Sequence, residues 1–200
     1  MPKSFSDTER EYIKKRLVEV AEECLLQYGL KKTTVDEIVQ RAKIPKGTFY
    51  LFYASKELLF FDVFIAFHDR IHADLFAEIN KLQDDVGPEQ VTEVIFGLYK
   101  KVENSFMFRF FMDGDLELLF RKLPQEAIDA HADKDDLSIR QLVSLVPGIK
   151  EEKAEVFSAA LRAIFTSMMY RREVGEAIFD DALKVMIHGV VLQMFEGAEK

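Results

Sequence analysis

Residues 46–56 read KGTFYLFYASK, and few folds can accommodate that run. Phe49, Tyr50, Leu51, Phe52 and Tyr53 stand consecutively. Neither the period of a strand nor that of a helix places all five on one face. A buried strand would not open on Lys46-Gly47, and an exposed helix would not carry five large apolar or aromatic residues in succession. The fold must bury part of this run and present the rest to something else.

The flanking residues indicate how. Ser6 with Glu9 forms a capping box, in which each side chain satisfies a free backbone N–H at a helix start. Behind it, Ile13, Leu17, Val20, Ala21, Cys24, Leu25 and Tyr28 recur at spacings of three and four. They predict a helix over about 7–28, ended by Gly29. Thr34 with Glu37 makes a second capping box, and Val35, Ile38, Val39 and Ala42 give a helix of about eight residues its apolar face. It stops near Lys43-Ile44-Pro45, because proline disfavours helical geometry in the residue before it. Pro45 suits the first turn of a third helix, about Lys46 to Phe52. Ser55 then caps a fourth, from about Lys56 to Lys81.

Two short helices joined by a tight turn and braced by longer ones describe a helix-turn-helix, whose second short helix enters the major groove of DNA. On that geometry Phe49 packs inward, and Phe52 or Tyr53 seals the junction to the fourth helix. Lys46, Gly47, Thr48 and Tyr50 remain for double-stranded DNA. Gly47 lets the backbone approach closely, Thr48 and Tyr50 offer hydroxyls, and Lys56 at a helix N-terminus can meet a phosphate. The charge distribution has the matching sign. The chain carries −8 overall, but residues 1–56 hold 11 Lys/Arg against 8 Asp/Glu, while residues 57–200 hold 16 against 27. A mildly basic head on an acidic body suits a protein whose head alone meets a polyanion. The expected division is therefore a DNA-binding domain, 1–56, and a body, 57–200.

Helical periodicity continues through the body. It resumes after Gly87-Pro88 to about Asn104, followed by the Phe-rich SFMFRFFMDGD, the segment LELLFRKL and a break at Pro124. A polar stretch at 129–136 reads as a surface loop, and Pro147-Gly148 as a turn. Two amphipathic segments, about 151–173 and 176–196, are separated by Gly175. No β-type alternation occurs, so the expected fold class is all-α. The lone Cys24 lies on an apolar helix stripe, which suits a reducing compartment. No apolar run approaches the roughly 18 residues that span a bilayer, and the N-terminus has no signal-peptide core. The expectation is a cytoplasmic protein with no membrane partner.

Residues 29–60, GLKKTTVDEIVQRAKIPKGTFYLFYASKELLF, resemble the DNA-binding segment of TetR-type transcriptional regulators, and the likeness extends over about residues 9–60. The shared pattern is Gly, a bulky residue, Thr-Thr-aliphatic, Ile, Ala, Lys-Gly-Thr-Phe-Tyr, an aromatic pair and Ser-Lys. The resemblance adds Thr33, Thr34, Leu51 and Tyr53 to the DNA-side residues. Three departures stand out. The family's turn glycine is Lys43 here, and the usual His-Tyr-Phe is Leu51-Phe52-Tyr53. The proline before Ser-Lys is Ala54. Position 52 thereby lacks the hydroxyl that would contact phosphate, leaving Tyr53 as a possible substitute.

The resemblance further implies a helical regulatory domain with a ligand cavity and a homodimer formed by the last two helices. Eleven Phe lie between Phe60 and Phe120; they read either as an aromatic core or as the walls of a small-molecule pocket. The candidate ligand-binding residues are Phe64, Phe67, His68, Ile71, Phe108 and Arg109. His68 and His72 share a helix face, yet no Cys or matched carboxylate cluster accompanies them, so a polar wall or plain exposure outweighs a metal site. Arg109 reads as a cavity cation or a snorkelling surface arginine. Phe157, Leu161 and Ile164 in one segment, with Ile187, Val191 and Met194 in the other, are the candidate dimer interface. The second segment's stripe is two residues wide at every turn, more than one packing partner requires.

No Gly-rich phosphate loop, no Gly-x-Ser-x-Gly elbow and no activated-cysteine pattern is present, so neither an enzyme nor a bound cofactor is expected. The function expected is a repressor that binds a palindromic operator as a homodimer and is released by a small apolar or aromatic effector. A helical dimeric adaptor without DNA binding is the alternative.

Overall fold

A computed structural model of the chain describes residues 5–82, 86–129 and 151–196, with side chains from residue 155 in the last segment. Beyond its first residue, the polar stretch expected at 129–136 lies outside the described residues, as does the turn expected at Pro147-Gly148. Among the described residues every regular element is helical. The helices are α1 (Asp7–Lys32), α2 (Val35–Ala42), α3 (Lys46–Phe49), α4 (Lys56–Lys81), α5 (Pro88–Glu103), α6 (Phe106–Met112) and α7 (Asp115–Phe120). After these come α8 (Glu151–Ser167), a 3-10 turn Met168–Tyr170, α9 (Arg171–Val174) and α10 (Phe179–Glu196).

Packing divides the chain into two compact units, one running up to His68 with Asn104–Ile128, the other Asp69–Glu103 with the residues from Asp129 onward. The first unit gathers α1 to α3, the first half of α4, α6 and α7. Its core is the α1 stripe of Leu17, Val20, Ala21, Cys24 and Leu25, closed by Ile38, Phe49, Leu59, Phe60 and Phe106. Burying each large side chain contributes roughly 1.5–3 kcal/mol. The same burial pushes the Cys24 thiol above its usual range.

Local signals set most helix ends. The Ser6–Glu9 box is complete, with Glu9 accepting from the Ser6 N–H at 2.8 Å and Ser6 Oγ accepting from the Glu9 N–H at 3.3 Å. The Thr34–Glu37 box is only half made. Thr34 Oγ1 accepts from the Glu37 N–H at 3.2 Å, but the Glu37 carboxylate turns to Arg41 Nε at 2.6 Å. Arg41 in turn donates to Gln27 Oε1 at 2.9 Å and to the Tyr28 hydroxyl, fastening α2 to α1. A charged partner four residues on outcompetes the neutral return bond. Gly29 has φ +73° and ψ 177°, a conformation open essentially to glycine alone, and α1 kinks there before its last turn.

In the second unit α10 packs against α5 and α8. The Tyr99 hydroxyl donates to the Leu161 carbonyl at 2.7 Å, and burial holds this phenol well above its usual range. Lys100 and Arg171 share the Asp180 carboxylate at 3.0 and 3.1 Å and both also pair with Glu103. This unit corrects the expected dimer residues. Phe157, Ile164, Ile187, Val191 and Met194 are buried inside their own unit, Val191 with no exposed surface, and Leu161 is half-buried. The double-width stripe is real, but its inner row packs intramolecularly. Apolar residues left outward include Val156, Tyr170, Val174, Ile178, Val185, Met186 and Leu192.

Candidate nucleic-acid interface

The turn between α2 and α3 keeps its geometry without glycine. Lys43 itself takes the left-handed conformation, φ 57° and ψ 43°, at a cost of about 1–2 kcal/mol. Its N–H donates to Gln40, and the Ile44 N–H donates to Val39 at 3.1 Å, which satisfies the end of α2. Pro45 is the N-cap of α3 rather than its first residue, and its carbonyl accepts from the Thr48 N–H at 2.9 Å. The α-helical part of α3 ends at Phe49, earlier than the expected Phe52. The chain then tightens, with the Leu51 N–H donating to Thr48 and the Phe52 N–H to Phe49.

That short helix divides the aromatic run as required. Phe49 is fully buried, edge-on to Tyr50 at 5.3 Å and tilted against Tyr53 at 6.0 Å. Outward stand Lys46, Gly47, Tyr50 at 52% exposure and Leu51 at 55%, with Thr34 exposed at the start of α2 and Thr48 half-buried. A Cβ added at Gly47 would meet nothing within 4 Å, so the space above its backbone is open. Lys46 Nζ pairs with the exposed Asp36 carboxylate at 2.8 Å, and this bond holds its ammonium pKa above the usual range.

Three expected DNA-side residues have other duties. Thr33 is fully buried, its hydroxyl shared between the carbonyls of Gly29 at 2.7 Å and Cys24 at 3.2 Å. It closes the α1 kink and offers DNA no hydroxyl. Tyr53 is 5% exposed and donates to Asp62 Oδ2 at 2.8 Å, so it does not replace the hydroxyl missing at Phe52. Burial, helped by the Asp62 bond, keeps its phenol protonated at every physiological pH. Lys56 Nζ, half-buried, donates to the Thr33 carbonyl at 2.8 Å and lies over the Phe60 ring. An ammonium has three donors, so a phosphate can still share Lys56.

Arg10 is absent from the sequence expectation. Its guanidinium lies 5.0 Å above the Phe52 ring, and Lys14 lies 5.9 Å over Tyr53. Both cations recur four apart on the polar face of α1, but nothing in the sequence aims them at residues about forty positions further on.

The candidate ligand residues separate. Phe64 stacks on Phe61 and His68, at 6.0 and 6.3 Å, and meets Phe120 edge-on at 5.7 Å. Phe67 meets Phe106 edge-on at 5.3 Å, Phe108 is half-buried, and Ile71 falls in the second unit. Arg109 is exposed and donates to the Leu26 carbonyl near the α1 kink at 2.8 Å. It is a tie between α6 and α1, which corrects the reading as a cavity cation. Lys31 reaches Asp115 at 3.4 Å, and Lys122 reaches Glu57 at 3.2 Å. Burial pushes the Glu57 carboxyl up, but its own N–H and Lys122 bring it below its usual range. Among the described residues no three His, Cys, Asp or Glu side chains converge as metal ligands.

Comparison with known proteins agrees with this geometry. The family described as bacterial regulatory proteins, tetR family, matches residues 17–63. The uncharacterized HTH-type transcriptional regulator YhgD of Bacillus subtilis is 30% identical over 124 residues, 47% of this chain and 63% of that protein. YuxN of the same organism, another HTH-type transcriptional regulator, is 36% identical over 56 residues, 28% of this chain and 19% of that one. The matches thus span less than two thirds of either relative. Among solved structures, one described as a TetR-family transcriptional regulator of Mesorhizobium loti superposes with a TM-score of 0.67 at 15% identity, over 95% of this chain and 98% of that one. RolR, solved with its ligand resorcinol, gives 0.58 at 18% identity over 98% and 97%. At such identities the likeness establishes the fold. No helix among the described residues is long and apolar enough to cross a membrane.

Proposed function

We propose that the chain is a regulator of the tetR family, whose model matches residues 17–63, and that it acts in the cytoplasm as a homodimeric repressor of a palindromic operator, released by a small apolar or aromatic effector. The observation that carries the DNA reading is the division of residues 46–53. Phe49 and Tyr53 are buried while Lys46, Gly47, Tyr50 and Leu51 stand outward. Tyr50 and Leu51 stand exposed side by side just after the four-residue α3, and a major groove offers both the apolar thymine methyl and hydrogen-bonding base edges. Thr34, Thr48 and Lys56 supply backbone contacts on this reading.

Dimerisation is proposed through the exposed apolar residues of α8 and α10, namely Val156, Val185, Met186 and Leu192, since the other large apolar residues of these helices are occupied within the unit. The effector is proposed to enter the aromatic group around Phe64, Phe67 and His68. There it must favour a DNA-incompetent arrangement over the competent one, since equal affinity shifts nothing. RolR's resorcinol is an aromatic precedent for the ligand class. A gel shift of fragmented genomic DNA tests the reading. A discrete, salt-sensitive subset of fragments containing inverted repeats is expected; no retarded fragment at low salt would favour the adaptor alternative.

A further inference from the structure

We propose that Arg10 is a DNA-phosphate contact of the reading head, aimed by the Phe52 ring and standing in for the hydroxyl that position 52 lacks. The inference rests on the DNA-binding reading above and extends it to α1. The first turns of α1 lie against the α3–α4 connection. Arg10 Cζ is 5.0 Å from the Phe52 centroid, and Phe5 lies against the same ring at 6.2 Å. Guanidinium stacking engages the flat face and leaves the N–H edge open to a phosphate.

Two other cations of this head are paired. Lys14 pairs with Asp62 at 2.9 Å, the carboxylate that also accepts the Tyr53 hydroxyl, and Lys46 pairs with Asp36. Glu9, beside Arg10 in sequence, closes the capping box on Ser6. Arg10 is exposed and makes no ion pair within 4 Å among the described residues. An exposed arginine held over Phe52, with no carboxylate partner among the described residues, supplies what Phe52 and the buried Tyr53 cannot.

The test is fluorescence anisotropy with a labelled random-sequence duplex of about 30 base pairs, titrated between about 50 and 200 mM salt, where phosphate contacts dominate. Arg10→Ala should weaken binding and flatten the log–log salt slope by about 0.9 for each reading head engaged. Its affinity loss between those salts then shrinks about 3- to 4-fold per head relative to wild type. Lys81→Ala, which removes the same charge from the other packing unit, should keep the wild-type slope. Arg10→Ala should cost less in a Phe52→Leu background, where the ring no longer aims the guanidinium. Phe52→Tyr, which restores the hydroxyl, should recover part of the loss in the Arg10→Ala protein. If wild type binds and Arg10→Ala matches it in affinity and slope, the inference is wrong while the DNA reading stands. An equal cost in both Phe52 backgrounds overturns the aiming role. Failure of the wild-type protein to bind any duplex overturns the underlying reading and this inference with it.

Discussion

Lys56 Nζ donates to the carbonyl of Thr33 across 2.8 Å, binding the first residue of α4 to the end of α1. The Thr33 hydroxyl, on the same residue, closes the kink at Gly29. The corner that fixes α2 and α3 against their supports therefore depends on one lysine and one threonine. Lys56→Met, which keeps the stem over Phe60, should lose about 1 kcal/mol, less than a buried charged hydrogen bond because the ammonium is half-exposed. Thr33→Val leaves the Gly29 carbonyl without this donor and should lose about 1–2 kcal/mol. Urea denaturation of both variants checks this; no change in either midpoint would show that the corner holds without them.

Two backbone positions should respond with opposite signs. Gly29 occupies a conformation closed to other residues, while a Cβ there would find space, its nearest neighbour being Arg109 Nη2 at 3.8 Å. Gly29→Ala should therefore destabilise by about 1–3 kcal/mol through backbone strain alone. Lys43→Gly relieves a left-handed lysine and should stabilise by up to about 1 kcal/mol, after allowance for glycine's greater unfolded-state freedom. Thermal unfolding that moves both variants in the same direction would contradict this account of the turn.

The two rows of α10 make separable predictions. Val185 is 72% exposed and Val191 is fully buried. Val185→Glu should give a folded monomer with poor operator binding, whereas Val191→Glu should unfold the second unit, since a carboxylate there has no partner. Light scattering with circular dichroism separates the outcomes. A Val185→Glu protein that stays dimeric places the interface elsewhere.

The Lys100–Glu103–Arg171–Asp180 group sets a pH dependence. Desolvation raises the Asp180 carboxyl, but Lys100 and Arg171 overcome it and hold it below its ordinary value. Its stabilisation is thus present above the unfolded value near pH 4 and lost as pH falls through the lower folded value. Lys100 is shifted upward because Glu103 and Asp180 outweigh its desolvation, so its share is full at neutral pH and is lost as pH rises from the unfolded value of about 10 through the raised folded one. Asp180→Asn should lower stability at pH 7 and flatten the acid limb below about pH 4. An unchanged acid limb would show that solvent screens the group entirely.

Much of this was legible in the chain because helix starts and faces are local signals. Ser6–Glu9, Ser55 and the α1 stripe need only neighbours three or four residues away, and each stands where the spacing puts it. The half-made Thr34–Glu37 box shows the limit, for Arg41 answers Glu37 and ties it to Tyr28, a tertiary competitor. The outward and inward rows of α10 look alike in sequence, since only the placement of α5 and α8 decides which is covered. Arg109 reaching Leu26, Tyr53 reaching Asp62 and Arg10 reaching Phe52 are side-chain contacts between different helices or connections, and periodicity carries no record of them.

The outward face of residues 46–51 should read duplex DNA in two copies. Selecting bound sequences from a random duplex pool, with wild-type protein and with Tyr50→Ala, tests it most directly. Tyr50 is half-exposed beside the buried Phe49, so its truncation leaves the core packed. Wild type should enrich an inverted repeat whose half-sites lie about 34–36 Å apart or a multiple of that. Tyr50→Ala, with unchanged circular dichroism, should select weaker sites with an altered preference at one or two positions per half-site. Enrichment of no sequence by the wild type, or of the same sequence at the same affinity by Tyr50→Ala, would contradict the claim.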